Sequence, residues 1–137
     1  MPKTRKKKYI CVPETPTYYH NSRFELEIRP SMIDGAGLGV FAKNDIPTNS
    51  FIDYYTGDIC RGLKGGLYFF AINDTLGINA EAYPRCYMGM INSNHGTAYD
   101  LNCEFVVDQE KETVAVYSIR EILAGNELYV SYGTEYF

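Results

Sequence analysis

No part of this chain repeats apolar residues at helical spacing for long enough to make a long amphipathic helix. Apolar residues come instead in short runs broken by Gly, Pro, Asn and Asp. FELEIR (24–29) alternates apolar and charged residues, the pattern of a half-buried strand. GVFA (39–42), FIDYYTG (51–57) and LYFFAI (67–72) are rich in β-branched or aromatic residues and bounded by turn formers. NCEFVVD (102–108) and TVAVYSI (113–119) flank QEKE, which reads as a hairpin turn although no glycine sets its type. ELYVSYG (127–133) reads as a last strand. Short helical pieces are expected only over 82–91 and as a turn near 120–123. A mainly β domain follows, either barrel-like or made of several small sheets.

A length of 137 residues suits one domain, and 45% hydrophobic residues suffice for a core. Residues 1–22 read as a basic, flexible leader and 23–137 as the domain. No run approaches the roughly 18 apolar residues of a membrane span. The charged start has no apolar run behind it, so a secretory signal is not expected. The expectation is a soluble, intracellular protein.

Charge is unevenly shared. Five of the 13 basic residues, Lys3, Arg5, Lys6, Lys7 and Lys8, lie in the first eight positions, where there is no acid. The remaining eight face all 17 acidic residues, a net of −9 over residues 9–137. Such a tail suits a nuclear address or nucleic acid, or is simply solvated. The acidic body would attract a cationic partner and repel bare nucleic acid. The cysteines (Cys11, Cys60, Cys86, Cys103) form no CxxC pair, so no metal site is expected and buried free thiols are.

IDGAGLGVFA (33–42) is the one glycine-rich stretch. Its Gly35-x-Gly37-x-Gly39 spacing leads into strand and turn rather than helix, so it is not a dinucleotide loop. The glycines still mark close backbone approach or positive φ. Near the other end, NELYVSYGTEYF (126–137) holds three tyrosines and a final phenylalanine.

GAGLGVFA, DYYTGD, GMIN, LNCEF and REILAGNELYVSYG occur in that order, and together they resemble the SET-domain family of protein-lysine methyltransferases over roughly residues 26–137. The resemblance implies small β-sheets with a C-terminal pseudoknot, S-adenosylmethionine as cofactor, and a protein lysine entering by a narrow channel. It implies that the backbone of Ala36, Gly37, Leu38 and Gly39 meets the cofactor's methionine part, with Asn92 and Ser93 at the family's NH motif. Asn102 matches a second, mainly structural asparagine. Tyr132 matches the catalytic tyrosine, Tyr55 lines the channel, and Phe105 stands where the number of methyls is limited. Glu127 is expected to be structural.

The departures are Ser93 for the motif's histidine (His95 lies two residues on), RCYMGM (85–90) for a GNxAR stretch, and Asn126 before Glu127-Leu128. The cysteine-rich post-SET segment of the family is not matched. Tyr136 and Phe137 are therefore expected to fold back over the cofactor, with one ring on the adenine. A histone tail is the expected substrate and the nucleus the expected location. The competing classes are a catalytically weak SET-fold module that docks to chromatin or a basic partner, and a nucleic-acid binder acting through its basic tail.

Overall fold

The computed structural model describes residues 14–62 and 68–131. The short runs become short strands. In chain order these are β1 (Tyr18–Tyr19), β2 (Leu26–Pro30), β3 (Leu38–Ala42), β4 (Phe51–Tyr54), β5 (Asp58–Arg61) and β6 (Phe69–Ala71). After them come β7 (Leu76–Asn79), β8 (Arg85–Cys86), β9 (Asn92–Ser93), β10 (Cys103–Asp108), β11 (Thr113–Ser118) and β12 (Tyr129–Val130). They make five small sheets: β2–β3, β10–β11–β4, β5–β7–β6, and the two-residue parallel pairs β1–β8 and β12–β9. Of the two arrangements that the strand pattern left open, several small sheets is the one observed, as the family resemblance implied.

QEKE is the hairpin turn between β10 and β11, with Asp108 opposite Thr113. In place of a glycine, Glu112 takes the left-handed conformation at φ 57°, and the Asp108 carboxylate accepts from Lys111 N–H at 3.0 Å. The helical piece expected over 82–91 shrinks to one 3-10 turn, Tyr87–Met90. Pro84 disfavours helix before it, and Arg85–Cys86 are already paired with β1. That pairing brings residues 18–19, assigned above to the leader, onto the domain. Asn21 N–H is likewise bound to the Asp53 carboxylate at 2.7 Å.

The core is drawn from several strands at once. Val114 and Val116 of β11 and Ile52 of β4 point inward. There they meet Val40, Met88, Ile91, Leu128 and Val130, all essentially without solvent contact. Each such side chain contributes about 1.5–3 kcal/mol by leaving water.

Three thiols sit in this framework in different states. Cys103 is fully buried and Cys86 nearly so, with its sulfur donating to Thr56 O at 3.1 Å. Burial pushes both thiols up from their ordinary value. Cys60 is only half-buried. Iodoacetamide at neutral pH, followed by peptide mapping, should label Cys60 in the native protein and Cys86 and Cys103 only after denaturation. Comparable native labelling of all three would contradict the burial described.

Candidate active site

The C-terminal strand segment is held from both sides. Residues 125–128 run beside β3: Gly125 N–H bonds Ala42 O at 2.7 Å, Ala42 N–H bonds Asn126 O at 2.9 Å, and Leu128 N–H bonds Val40 O at 2.8 Å. One step further, β12 pairs with β9, placing Tyr129 beside Asn92 and Val130 beside Ser93. The Asn102 side chain clamps the crossing, donating to Glu127 O at 2.9 Å and accepting from Tyr129 N–H at 2.7 Å. This is the structural part expected of Asn102.

At the crossing lies the carboxylate of Glu127, only 3% exposed. Its Oε2 accepts from the Ser31 hydroxyl at 2.8 Å and Asn92 Nδ2 at 3.2 Å; its Oε1 accepts from Met32 N–H at 2.8 Å and the Tyr129 hydroxyl at 2.9 Å. Four donors from three separate segments satisfy a group that would otherwise be costly to bury. Gly39 makes the approach possible, because a Cβ there would overlap Glu127 Oε2. Upstream, Ser31 N–H bonds Gly37 O at 2.8 Å, closing a turn that Gly37 completes at φ 77°.

Asn92 is almost wholly buried. Its amide donates to Leu38 O at 3.0 Å as well as to Glu127, while its Oδ1 has no hydrogen-bond partner among the described residues. A buried acceptor left unmade costs about 1–3 kcal/mol. Ser93, also buried, accepts from His95 N–H at 3.1 Å. Ala36 is buried, whereas Gly37 is exposed with open space where its side chain would stand. The stretch 36–39 and residues 92–93 thus meet around the Asn92 side chain.

A second group of residues converges nearby. The rings of Tyr55, Phe70 and Phe105 pack edge-on or tilted, with centroids 5.6 Å (Tyr55–Phe70), 6.1 Å (Tyr55–Phe105) and 4.7 Å (Phe70–Phe105) apart. The Tyr55 hydroxyl donates to Tyr68 O at 2.6 Å. Phe70 and Phe105 also wall a groove of about 310 Å³ that reaches Ser131. Sequence reasoning brought Tyr55 and Phe105 together but missed Phe70, whose only signal was an aromatic pair in a strand-like run. It also missed Arg85, buried with its guanidinium 3.9 Å from the Tyr68 ring centroid and 4.3 Å from that of Tyr83. Arg85 donates from Nε to Ala80 O at 3.2 Å. Tyr132, Tyr136 and Phe137 lie outside the described residues.

A set of small sheets closed by a strand held between a glycine-rich strand and an asparagine-bearing one is the architecture of SET-type lysine methyltransferases. The model of the SET domain family matches residues 37–133, and the chain belongs to that family. S-adenosylmethionine is the cofactor of SET methyltransferases. Among solved structures, the chain is similar to the polycomb repressive complex 2 of Chaetomium thermophilum, with 22% identity, 81% of this chain covered and a TM-score of 0.67. It is also similar to an active polycomb repressive complex 2 in the stimulated state (22% identity, 81% coverage, TM-score 0.69). A third match is ctPRC2 in an autoinhibited conformation bound to S-adenosylmethionine (23% identity, 80% coverage, TM-score 0.67). The chain spans 15% of the length of each of these chains. Comparison with curated proteins gives no match.

Burial, and then the bond to Glu127, raise the Tyr129 hydroxyl above its ordinary value of 10.0. A raised folded value means that this group's stabilisation is complete below about pH 10 and is lost as pH climbs toward the folded value. Tyr129→Phe should cost roughly 1.5–3 kcal/mol at pH 8, the worth of a hydrogen bond to a charged group. The gap between wild type and variant should narrow in denaturant titrations above pH 10. A gap independent of pH would contradict the bond to Glu127.

Proposed function

We propose that this protein transfers a methyl group from S-adenosylmethionine to the side-chain amine of a lysine in a protein substrate, with a histone tail as the first candidate. The observation that carries this reading is the unpartnered, buried Oδ1 of Asn92 beside Leu38 and Gly39. A small ligand with a donor, such as the ammonium of the cofactor's methionine part, fits that acceptor. The open side of Gly37 leaves room for close approach of such a ligand to the backbone. Ala36, Gly37, Leu38, Gly39, Asn92 and Ser93 would hold the cofactor, with Tyr136 and Phe137 covering its adenine.

S-adenosylmethionine supplies an electrophilic methyl carbon on a sulfonium. The residues of this chain prepare the nucleophile. A lysine amine has an unperturbed pKa of about 10.4 and must be neutral to react. The walls of Tyr55, Phe70 and Phe105 exclude water from the amine and disfavour its charged form. Their rings also attract the arriving ammonium, by about 0.5–2 kcal/mol per contact. Because the Tyr55 proton is committed to Tyr68 O, Tyr55 presents its ring rather than a donor. Phe105 limits the space for added methyls. The Tyr132 hydroxyl bonds the amine and aims its lone pair at the methyl carbon. Glu127, with its oxygens engaged by four donors, is scaffold rather than base. The five basic residues of the leader suit delivery to the nucleus.

Incubation with labelled S-adenosylmethionine and core histones should transfer label to a histone lysine. Tyr132→Phe should lower turnover by at least about a hundredfold, the scale for loss of a positioned hydroxyl, while calorimetry shows cofactor affinity within about threefold of wild type. Wild-type turnover in that variant would remove Tyr132 from catalysis. Cofactor binding with no transfer to any protein would favour the docking-module reading instead.

A further inference from the structure

The groove that leads from the Phe70–Phe105 pair to Ser131 carries a single charged side chain among the described residues, Glu104. Three features set this carboxylate apart. It is exposed on β10 and takes part in none of the ion pairs among the described residues. Its cross-strand neighbour is Tyr117 rather than a lysine or arginine, so it does not serve the cross-strand charge pairing that often explains an acid in a strand. The groove around it is otherwise apolar or neutral, formed by Phe70, Leu101, Cys103, Phe105, Val107 and Ser131.

We infer that Glu104 is a specificity-determining residue that selects substrates with a second cationic side chain within about two residues of the target lysine. The inference rests on the methyltransferase reading of the groove. Glu104 and Phe105 are consecutive on β10, so their side chains leave opposite faces of the strand, across from Tyr117 and Val116 respectively. β10 is the edge of its sheet, however, and both residues line the groove. An extended substrate advances about 3.3 Å per residue, so a segment that runs along this edge with its lysine directed at the aromatic pair passes Glu104 within one or two residues of that lysine. An arginine there finds a planar, bidentate partner, whereas an acidic neighbour meets a like charge. The remaining surface adds no counter-argument: residues 9–137 carry a net of −9, so a basic segment is favoured at long range as well.

The test uses the full-length protein and two fluorescein-labelled peptides that differ only in the residues flanking one lysine, arginine in one and glutamate in the other. Binding is followed by anisotropy and methylation by mass spectrometry. Wild type should prefer the arginine peptide by about threefold to tenfold, the range of an exposed charge pair set against a repulsive one. The preference should lie in KM and Kd rather than kcat, and should shrink as salt is raised. Glu104→Gln should remove it and Glu104→Lys should invert it, with melting temperatures close to wild type because the side chain is exposed. Equal affinity of wild type for both peptides, or an undiminished preference in Glu104→Gln, overturns the assignment. A Glu104-dependent binding preference without methylation of either peptide upholds it and counts against catalysis instead. No binding of either peptide overturns both.

Discussion

A buried carboxylate organises this fold. Taken alone, Glu127 would be among the most costly groups to place in the interior, since an ionised side chain out of water needs partners on both oxygens. The chain supplies them from far apart in sequence. Ser31 and Met32 come from the turn before β3, Asn92 from β9, and Tyr129 from the strand that follows Glu127 itself. Removing the carboxylate would strand several buried donors at once, at about 1–3 kcal/mol each. The charge therefore forces three segments into one register. A Gly39 side chain would break that register by occupying the carboxylate's place.

The same knot leaves one atom unsatisfied. Both Asn92 amide protons are committed, to Leu38 O and to Glu127, which orients its carbonyl oxygen away from them with no partner among the described residues. Buried polar groups without partners are uncommon, and each calls for a partner such as an ordered water, an ion or a ligand. On the proposed reading, function and stability share one network, since the bonds that fix the crossing also orient this acceptor.

The aromatic cluster has its own anchor. Tyr68 O accepts both the Tyr55 hydroxyl and Ala80 N–H, at 2.6 and 2.8 Å. The Tyr68 ring lies against Arg85, whose Nη2 and Nε reach Glu81 O and Ala80 O. A guanidinium buried among rings and carbonyls, with no ion pair among the described residues, gains from its planarity and weak hydration, which a lysine lacks. In sequence, Arg85 sits in RCYMGM, the stretch that departs from the family pattern. There it fastens the chain between β7 and β9.

Much of this was legible in the residues. Alternation marked β2, because a half-buried strand carries a period that a reader can count, and QEKE between two apolar runs marked the β10–β11 hairpin. The two-residue strands β1, β8 and β9 carry none; their pairing follows from tertiary contacts. β5 and β7 were missed for a related reason: DICR is mostly exposed, and LGIN, largely buried, carries a glycine at its second position. The candidate site residues Gly39, Asn92, Tyr55 and Phe105 came from an ordered set of motifs. The Tyr129 ring stacks on Tyr99, with centroids 5.2 Å apart, and its hydroxyl belongs to the Glu127 network, a role that no local pattern announces. The measurement that bears most directly on this account is a crystal structure with S-adenosylhomocysteine bound. The account predicts the ligand's amino group donating to Asn92 Oδ1 beside residues 36–39, with all four bonds to Glu127 kept. A ligand bound elsewhere, with that oxygen still unpartnered, would contradict it.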